Sequence, residues 1–231
     1  MSLKITSWNV HRGVSPRGTP NRDGVADEIR RMSPDFVGLQ EVPSQIWVDK
    51  LTETLLASGL AYTHHFEETD PDGSGLALLS VRECVVSVVE YPPVCTSAAL
   101  KKAVVMTHED VHVITTHLSA NCTMAAQWVQ AAHLAKHVST IEGHVFVMGD
   151  LNCHHVSPPM HKLRSVGLKD TRRSSRTRSR GYLNGCTFPS AMPFQRIDYI
   201  LARSNYVCNT SRVGRVPASD HMHVTAHMSP A

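Results

Sequence analysis

The sequence predicts an α+β protein built as a four-layer α/β/β/α sandwich, with two mixed β-sheets packed face to face and helices outside. Three observations carry this expectation. The apolar segments are mostly short and β-branched. They run strand, helix, strand, helix, then several strands, then a helix and more strands, an order that suits stacked sheets. With 42% hydrophobic residues in 231, the chain can bury a substantial core, and residues 1–231 are read as a single domain.

Residues 3–10 alternate as a strand with Ile5, Ser7 and Asn9 on one face. Val25, Ile29 and Met32 recur at helical spacing. Asp23, Asp27 and Glu28 suit the start of that helix, and Pro34 bars its continuation. Residues 36–42 form a second strand ending at Gln40-Glu41. A helix from Gln45 carries Val48, Leu51 and Leu55 and stops near Gly59. Short strands follow at 75–81, 84–89, 101–107 and 111–118, the last two joined by a turn at His108-Glu109-Asp110. Met124, Trp128, Ala131, Ala135 and Val138 predict an amphipathic helix with Trp128 on its buried face. Residues 145–148 read as a buried strand, and 197–202 and 223–228 as two more. Trp8 is expected in the core.

A formal charge of +3 is too mild to diagnose a nucleic-acid binder. The one biased segment, residues 171–180, holds Arg172, Arg173, Arg176, Arg178 and Arg180 among serines and threonines and reads as an exposed basic loop. None of the six cysteines forms a C-x-x-C pair, so they are expected to be reduced thiols of a cytoplasmic protein. Nothing in Met1-Ser2-Leu3-Lys4-Ile5 predicts export, and no apolar run predicts membrane insertion.

Polar groups recur where the strands end. Asn9 closes the first, Glu41 the second and His117 the hairpin strand. Asp150 and Asn152 follow residues 145–148, Asp198 opens a late strand, and Asp220-His221 precede the last. If these ends converge, Glu41, Asp150, Asp198 and Asp220 form a carboxylate cluster whose mutual repulsion a hard divalent cation relieves. Such a site suits phosphoryl chemistry, in which a metal neutralises phosphate charge and a carboxylate orients water.

The ordered series Ser7-Trp8-Asn9-Val10, Leu39-Gln40-Glu41-Val42, Gly75-Leu76-Ala77-Leu78-Leu79-Ser80, Thr115-Thr116-His117-Leu118, Gly149-Asp150-Leu151-Asn152, Arg196-Ile197-Asp198-Tyr199-Ile200 and Ser219-Asp220-His221 resembles the motifs of the endonuclease/exonuclease/phosphatase superfamily. The resemblance runs from about residue 3 to 228; each motif alone is weak, and their order is what is specific. Thr115-Thr116-His117-Leu118 departs from the tyrosine-proline-asparagine motif of the apurinic endonucleases and places the chain with the histidine-containing, DNase I-like branches.

The resemblance implies a divalent-metal-dependent phosphodiesterase using Mg²⁺ or Mn²⁺, acting as a monomer. It implies that Glu41 ligates the metal with Asn9 and Asp220. Asp150 then activates water, Asn152 and Asn9 hold phosphate oxygens, His117 and His221 contact the phosphate, and Asp198 orients His221. The basic residues Arg172, Arg173 and Arg176 are expected to bind substrate, with nucleic acid the leading class. A phospholipid or inositol-phosphate phosphoesterase is the alternative, for which an apolar rim at Ala191-Met192-Pro193-Phe194 would be the sign. A non-catalytic binding module is the remote third. The adjacent pairs His64-His65 and His154-His155 are read as part of a chain carrying fifteen histidines rather than as zinc ligands, since neighbours on a strand point to opposite faces; His221 and His223 share a strand face, a better metal geometry, but His223 is read as lining the sheet end. Cys153, beside the catalytic loop, is expected to be inert.

Overall fold

A computed structural model describes residues 1–94, 101–120, 123–177, 185–214 and 218–231. Cys95, Cys122, Arg178 and Arg180, and with them part of the basic segment, lie outside the described residues.

The chain opens with β1 (Leu3–Asn9), α1 (Arg22–Met32), β2 (Phe36–Val42), α2 (Gln45–Ala57), β3 (Thr63–Glu68) and β4 (Gly75–Ser80). It continues with β5 (Val85–Glu90), β6 (Lys102–His108), β7 (Val111–His117), α3 (Met124–Thr140), β8 (His144–Asp150) and α4 (Pro158–Arg164). It closes with β9 (Lys169–Asp170), α5 (Thr171–Ser174), β10 (Asp198–Arg203), β11 (Tyr206–Val213) and β12 (Val224–Pro230). One sheet has the order β11-β12-β1-β2-β4-β3 and the other β5-β6-β7-β8-β10-β9. The parallel pairs β1–β2 and β7–β8 lie inside their sheets. Each needs a crossover, and α1 and α3 supply it, which puts one helical layer outside each sheet.

Period-two alternation then sorts the apolar residues into layers. Ile5, Phe36 and Leu78 of the first sheet meet Val113, Phe146 and Met148 of the second. The alternate residues Trp8, Val37 and Leu39 face α1 and α2, and Val145 and Val147 face α3 and α4. The predicted four-layer α/β/β/α sandwich is the observed fold.

Three expectations change. Trp128 is not core: its side chain is 45% exposed. The first turns of α3 overhang the sheet end, where the inward positions are polar. Gln127 Nε2 donates to the Ser119 and Asn152 carbonyls at 2.9 Å each, and Gln130 Oε1 accepts from the Ser119 N–H. The edge strand β3 went unpredicted because Thr-His-His-Phe-Glu-Glu has no apolar alternation. The expected basic loop begins as the short helix α5, capped by the Asp170 carboxylate, with Arg172 half-buried while Arg173 and Arg176 are exposed.

His223 is turned to Glu28, as a residue lining the sheet end. Its Nε2 lies 2.7 Å from Glu28 Oε1, beneath the Trp8 ring, and Arg31 binds the same carboxylate. Burial works against the Glu28 charge, but the hydrogen bonds from Arg31 and His223 outweigh it and hold its pKa at about 2, against 4.5 when free. The folded value lies below the unfolded one, so this stabilisation is complete above about pH 4.5 and lost as pH falls towards 2. Glu28→Gln is expected to cost about 2 kcal/mol at neutral pH, allowing for the exposed Arg31 end, and only about 0.4 kcal/mol at pH 2, where the folded carboxylate is half-protonated. Urea unfolding at both pH values measures this; an equal loss at both would remove the ion pair from the account.

Candidate active site

Three side chains from one sheet stand in a row. His117 of β7 pairs in register with Asp150 of β8, and Asp150 pairs with Asp198 of β10. Strand pairing alone therefore brings together residues far apart in sequence. Gly149 makes the row possible. Its φ is +152°, and a Cβ there would stand 1.9 Å from the Thr116 carbonyl oxygen, so no larger residue can precede Asp150.

The other sheet supplies the opposite wall. Asn9 ends β1, and the pairing of β2 with β4 shifts register between Leu39 and Val42. Glu41 sits in that bulge at φ +54°, a left-handed conformation that re-aims its side chain. Asn9 Nδ2 bridges the sheets, donating to Glu41 Oε1 at 2.9 Å and Asp150 Oδ2 at 3.1 Å. Asn9 Oδ1 accepts the His11 N–H at 3.0 Å. His221 joins from the loop before β12, where Trp8 Nε1 donates to its carbonyl at 2.9 Å.

Asp198 Oδ2 accepts from His221 Nδ1 at 3.0 Å, which leaves Nε2 directed to Asp150 Oδ2, 3.7 Å away. Burial disfavours charge on this ring. The Asp198 charge and hydrogen bond, with Asp150 and Asp220, outweigh it and raise His221 to about 10. His221 is thus an imidazolium at neutral pH. Asp150 is pushed the other way, its carboxyl raised by burial and then by the charge of Asp198. A carboxylate moved towards neutrality is suited to general-base work.

His117 is held neutral by burial and then by the charge of Lys101. Asn152 Nδ2 donates to the Leu118 carbonyl at 2.9 Å, which fixes its amide orientation and makes it donate also to His117 Nε2 at 3.0 Å. His117 therefore carries its proton on Nδ1 and presents a lone pair at Nε2.

Thr187 and Phe188 had no assigned role. Thr187 Oγ1 donates to Asp198 Oδ2 at 2.5 Å, and the Phe188 ring lies 4.7 Å from that of His221. Neither residue type signals along the chain that this segment braces the Asp198–His221 pair.

The donor set fits a hard divalent cation. Ligand atoms of Asp150, Asp198 and His221 lie within 4.8 Å of one another, the one such grouping of three or more among the described residues; the charged His221 ring offers no lone pair, so within it only the carboxylates can meet a cation. Asp198 Oδ1 is buried without a hydrogen-bond partner. Among the described residues no Lys, Arg or His pairs with Glu41, whose carboxylate is held by the neutral Asn9 amide. Asp220 stands apart from the grouping, 3.7 Å from His11 Nε2. Neither histidine pair joins it: His64 binds Asp49, and His154 stacks on His155. Burial raises the Cys153 thiol to about 11, which makes it inert as expected.

A model of the endonuclease/exonuclease/phosphatase family matches residues 6–221. No curated protein sequence matches. Solved structures share the fold at low identity. An endonuclease/exonuclease/phosphatase from Beutenbergia cavernae is 22% identical with a TM-score of 0.81, covering 100% of this chain and 72% of that one. One from Bacteroides vulgatus is 18% identical at 0.82, covering 100% of both chains. A mannosyl-6-phosphatase from Bacteroides thetaiotaomicron is 14% identical at 0.82, covering 98% of this chain and 99% of that one.

Proposed function

We propose, on the premise that this chain belongs to the endonuclease/exonuclease/phosphatase family, whose members are phosphoester hydrolases, that it is a divalent-metal-dependent phosphodiesterase acting on nucleic acid. The observation that carries this is the His117–Asp150–Asp198 row closed by the Asp198–His221 pair. It sets a carboxylate of raised pKa beside an imidazole whose pKa is raised so that it is charged at neutral pH.

Glu41, Asn9 and Asp220 would hold Mg²⁺ or Mn²⁺. Bound there, the ion would neutralise phosphate charge and stabilise the leaving oxygen. Asp150 takes the proton of the attacking water. His221, charged and oriented by Asp198, donates from Nε2 to a phosphate oxygen and meets the negative charge that develops. The amides of Asn152 and Asn9 would hold the remaining oxygens by exchanging for them one hydrogen bond each, now made to His117 and to Glu41. His117 accepts at Nε2, so in this resting form it positions through Asn152 rather than protonating a leaving group. Contributions from both sheets support treating residues 1–231 as one catalytic domain.

Arg173 and Arg176, exposed, and half-buried Arg172 support a polyanionic substrate. The free thiols Cys84, Cys153, Cys186 and Cys208 suit a reducing compartment such as the cytoplasm, and no helix among the described residues is long and apolar enough to cross a membrane. One observation favours a second reading: Met192 and Phe194 are 72% and 65% exposed, the apolar rim expected of a phospholipid enzyme.

Plasmid nicking with Mg²⁺ or Mn²⁺ distinguishes the two. Nicking is expected with either metal and abolished by EDTA. If the folded protein leaves plasmid intact but cleaves sphingomyelin in vesicles, the substrate class is lipid.

A further inference from the structure

We propose that the pocket where α4 and the turn after it meet β9 and α5 is a second phosphate subsite, binding the nucleic acid strand beyond the scissile bond. It rests on the nucleic-acid reading above. The pocket measures about 550 Å³, and its charged lining is Arg164, Lys169, Asp170 and Arg173. The one acid is neutralised by an ion pair through one oxygen: Asp170 Oδ1 accepts from Arg196 Nη2 at 2.7 Å and from the Arg172 N–H at 3.0 Å, while Oδ2 is buried without a partner. Arg172 and Arg196 thus stand behind three lining cations, and the patch is more positive than the net +3 of the whole chain.

One lining donor there wants an acceptor: Arg164 Nη2 is buried without a hydrogen-bond partner. Native proteins leave few such groups unmatched, and an anion's oxygen would satisfy it. Arg172 stands behind the lining, its guanidinium packed against Gly185. Cations spread along a pocket suit a polyanion better than a single carboxylate does.

The pocket flanks the sheet that carries the catalytic row. Arg164 Nη1 donates to the His155 carbonyl, three residues past Asn152, and Arg196 lies two residues before Asp198. Asp170 pairs with Leu201, three residues along β10 from Asp198. At about 3.3 Å per residue that is roughly 10 Å. That separation is within the span of a few backbone phosphates of one strand.

The test is the salt dependence of binding to a short fluorescent DNA duplex, by anisotropy in EDTA so that no cleavage occurs. Each phosphate contact contributes about 0.9 to the slope of log affinity against log salt. Lys169→Gln with Arg173→Gln, both exposed and so neutral to folding, is expected to lower that slope by about 2. Arg164→Gln should lower it in the same direction. Lys50→Gln with Lys136→Gln removes the same charge from the outer helices α2 and α3 and should leave the slope unchanged. Equal slopes for the two double variants overturn the subsite, as does absence of duplex binding by the unmodified protein. Hydrolysis of bis(p-nitrophenyl) phosphate by the unmodified protein with Mn²⁺, run in parallel, shows whether the phosphodiesterase reading falls with it.

Discussion

Asp150→Asn is expected to reduce diester hydrolysis by roughly 10³-fold while leaving the fold at least as stable. The substitution keeps an oxygen for the Asn152 N–H, which Asp150 Oδ1 accepts at 2.9 Å, and preserves the volume of a fully buried side chain; it gives up the bond from Asn9 Nδ2, worth about 1 kcal/mol, which the relief of a buried raised carboxylate outweighs. It removes the group that takes the water's proton. The stability side has a definite sign. The folded pKa of Asp150 is raised above its unfolded value, so above that unfolded value its ionisation favours the unfolded chain. Neutralising it relieves its repulsion with Asp198. A melting temperature in EDTA at neutral pH that equals or exceeds that of the unmodified protein, with activity gone, is the expected pair of results. Retained activity would remove Asp150 from the mechanism; lost activity with a collapsed melting temperature would make its role structural.

The second large effect belongs to the Asp198–His221 pair. His221→Ala is expected to cost roughly 10²–10³-fold in rate, the scale seen when one preorganised donor to a developing oxyanion is removed. The pH profile separates the partners. Activity rises as Asp150 loses its proton and falls on the alkaline side as His221, at about 10, loses its own. Asp198→Asn removes the charge and the hydrogen bond that most raise His221, so the alkaline limb should move towards neutral pH. The acid limb should move down with it, because Asp198 also raises Asp150. Profiles of bis(p-nitrophenyl) phosphate hydrolysis for the two proteins read both limbs. An alkaline limb that stays in place after Asp198→Asn would mean that His221 does not act as the cation.

Much of the layout was written along the chain because it depends on local periodicity. The alternation of β1, β2, β7 and β8 and the apolar spacing of α1 and α2 follow from which face each residue must bury. Trp128 shows the limit. Its spacing matches the buried face of α3, but whether a face is buried depends on what lies under it, and that helix start overhangs a loop. Likewise β3 is held by its pairing with β4 rather than by an apolar pattern.

The candidate residues were legible as types at strand ends, and their order along the chain identified the family. Their roles depend on distances that cross the sheets. Only strand register set His117 against Asp150 and Asp150 against Asp198. Only the bulge at Glu41 and the reach of Asn9 joined the two walls. Thr187 and Phe188 became supports of His221 only when their loop folded over it. The sequence by itself therefore determined the layers and the chemistry-bearing residues, through side-chain periodicity and type. The tertiary structure decided which carboxylate is raised, which imidazole is charged and which cations form one pocket, because burial and Coulomb interactions depend on separation in space and not along the chain.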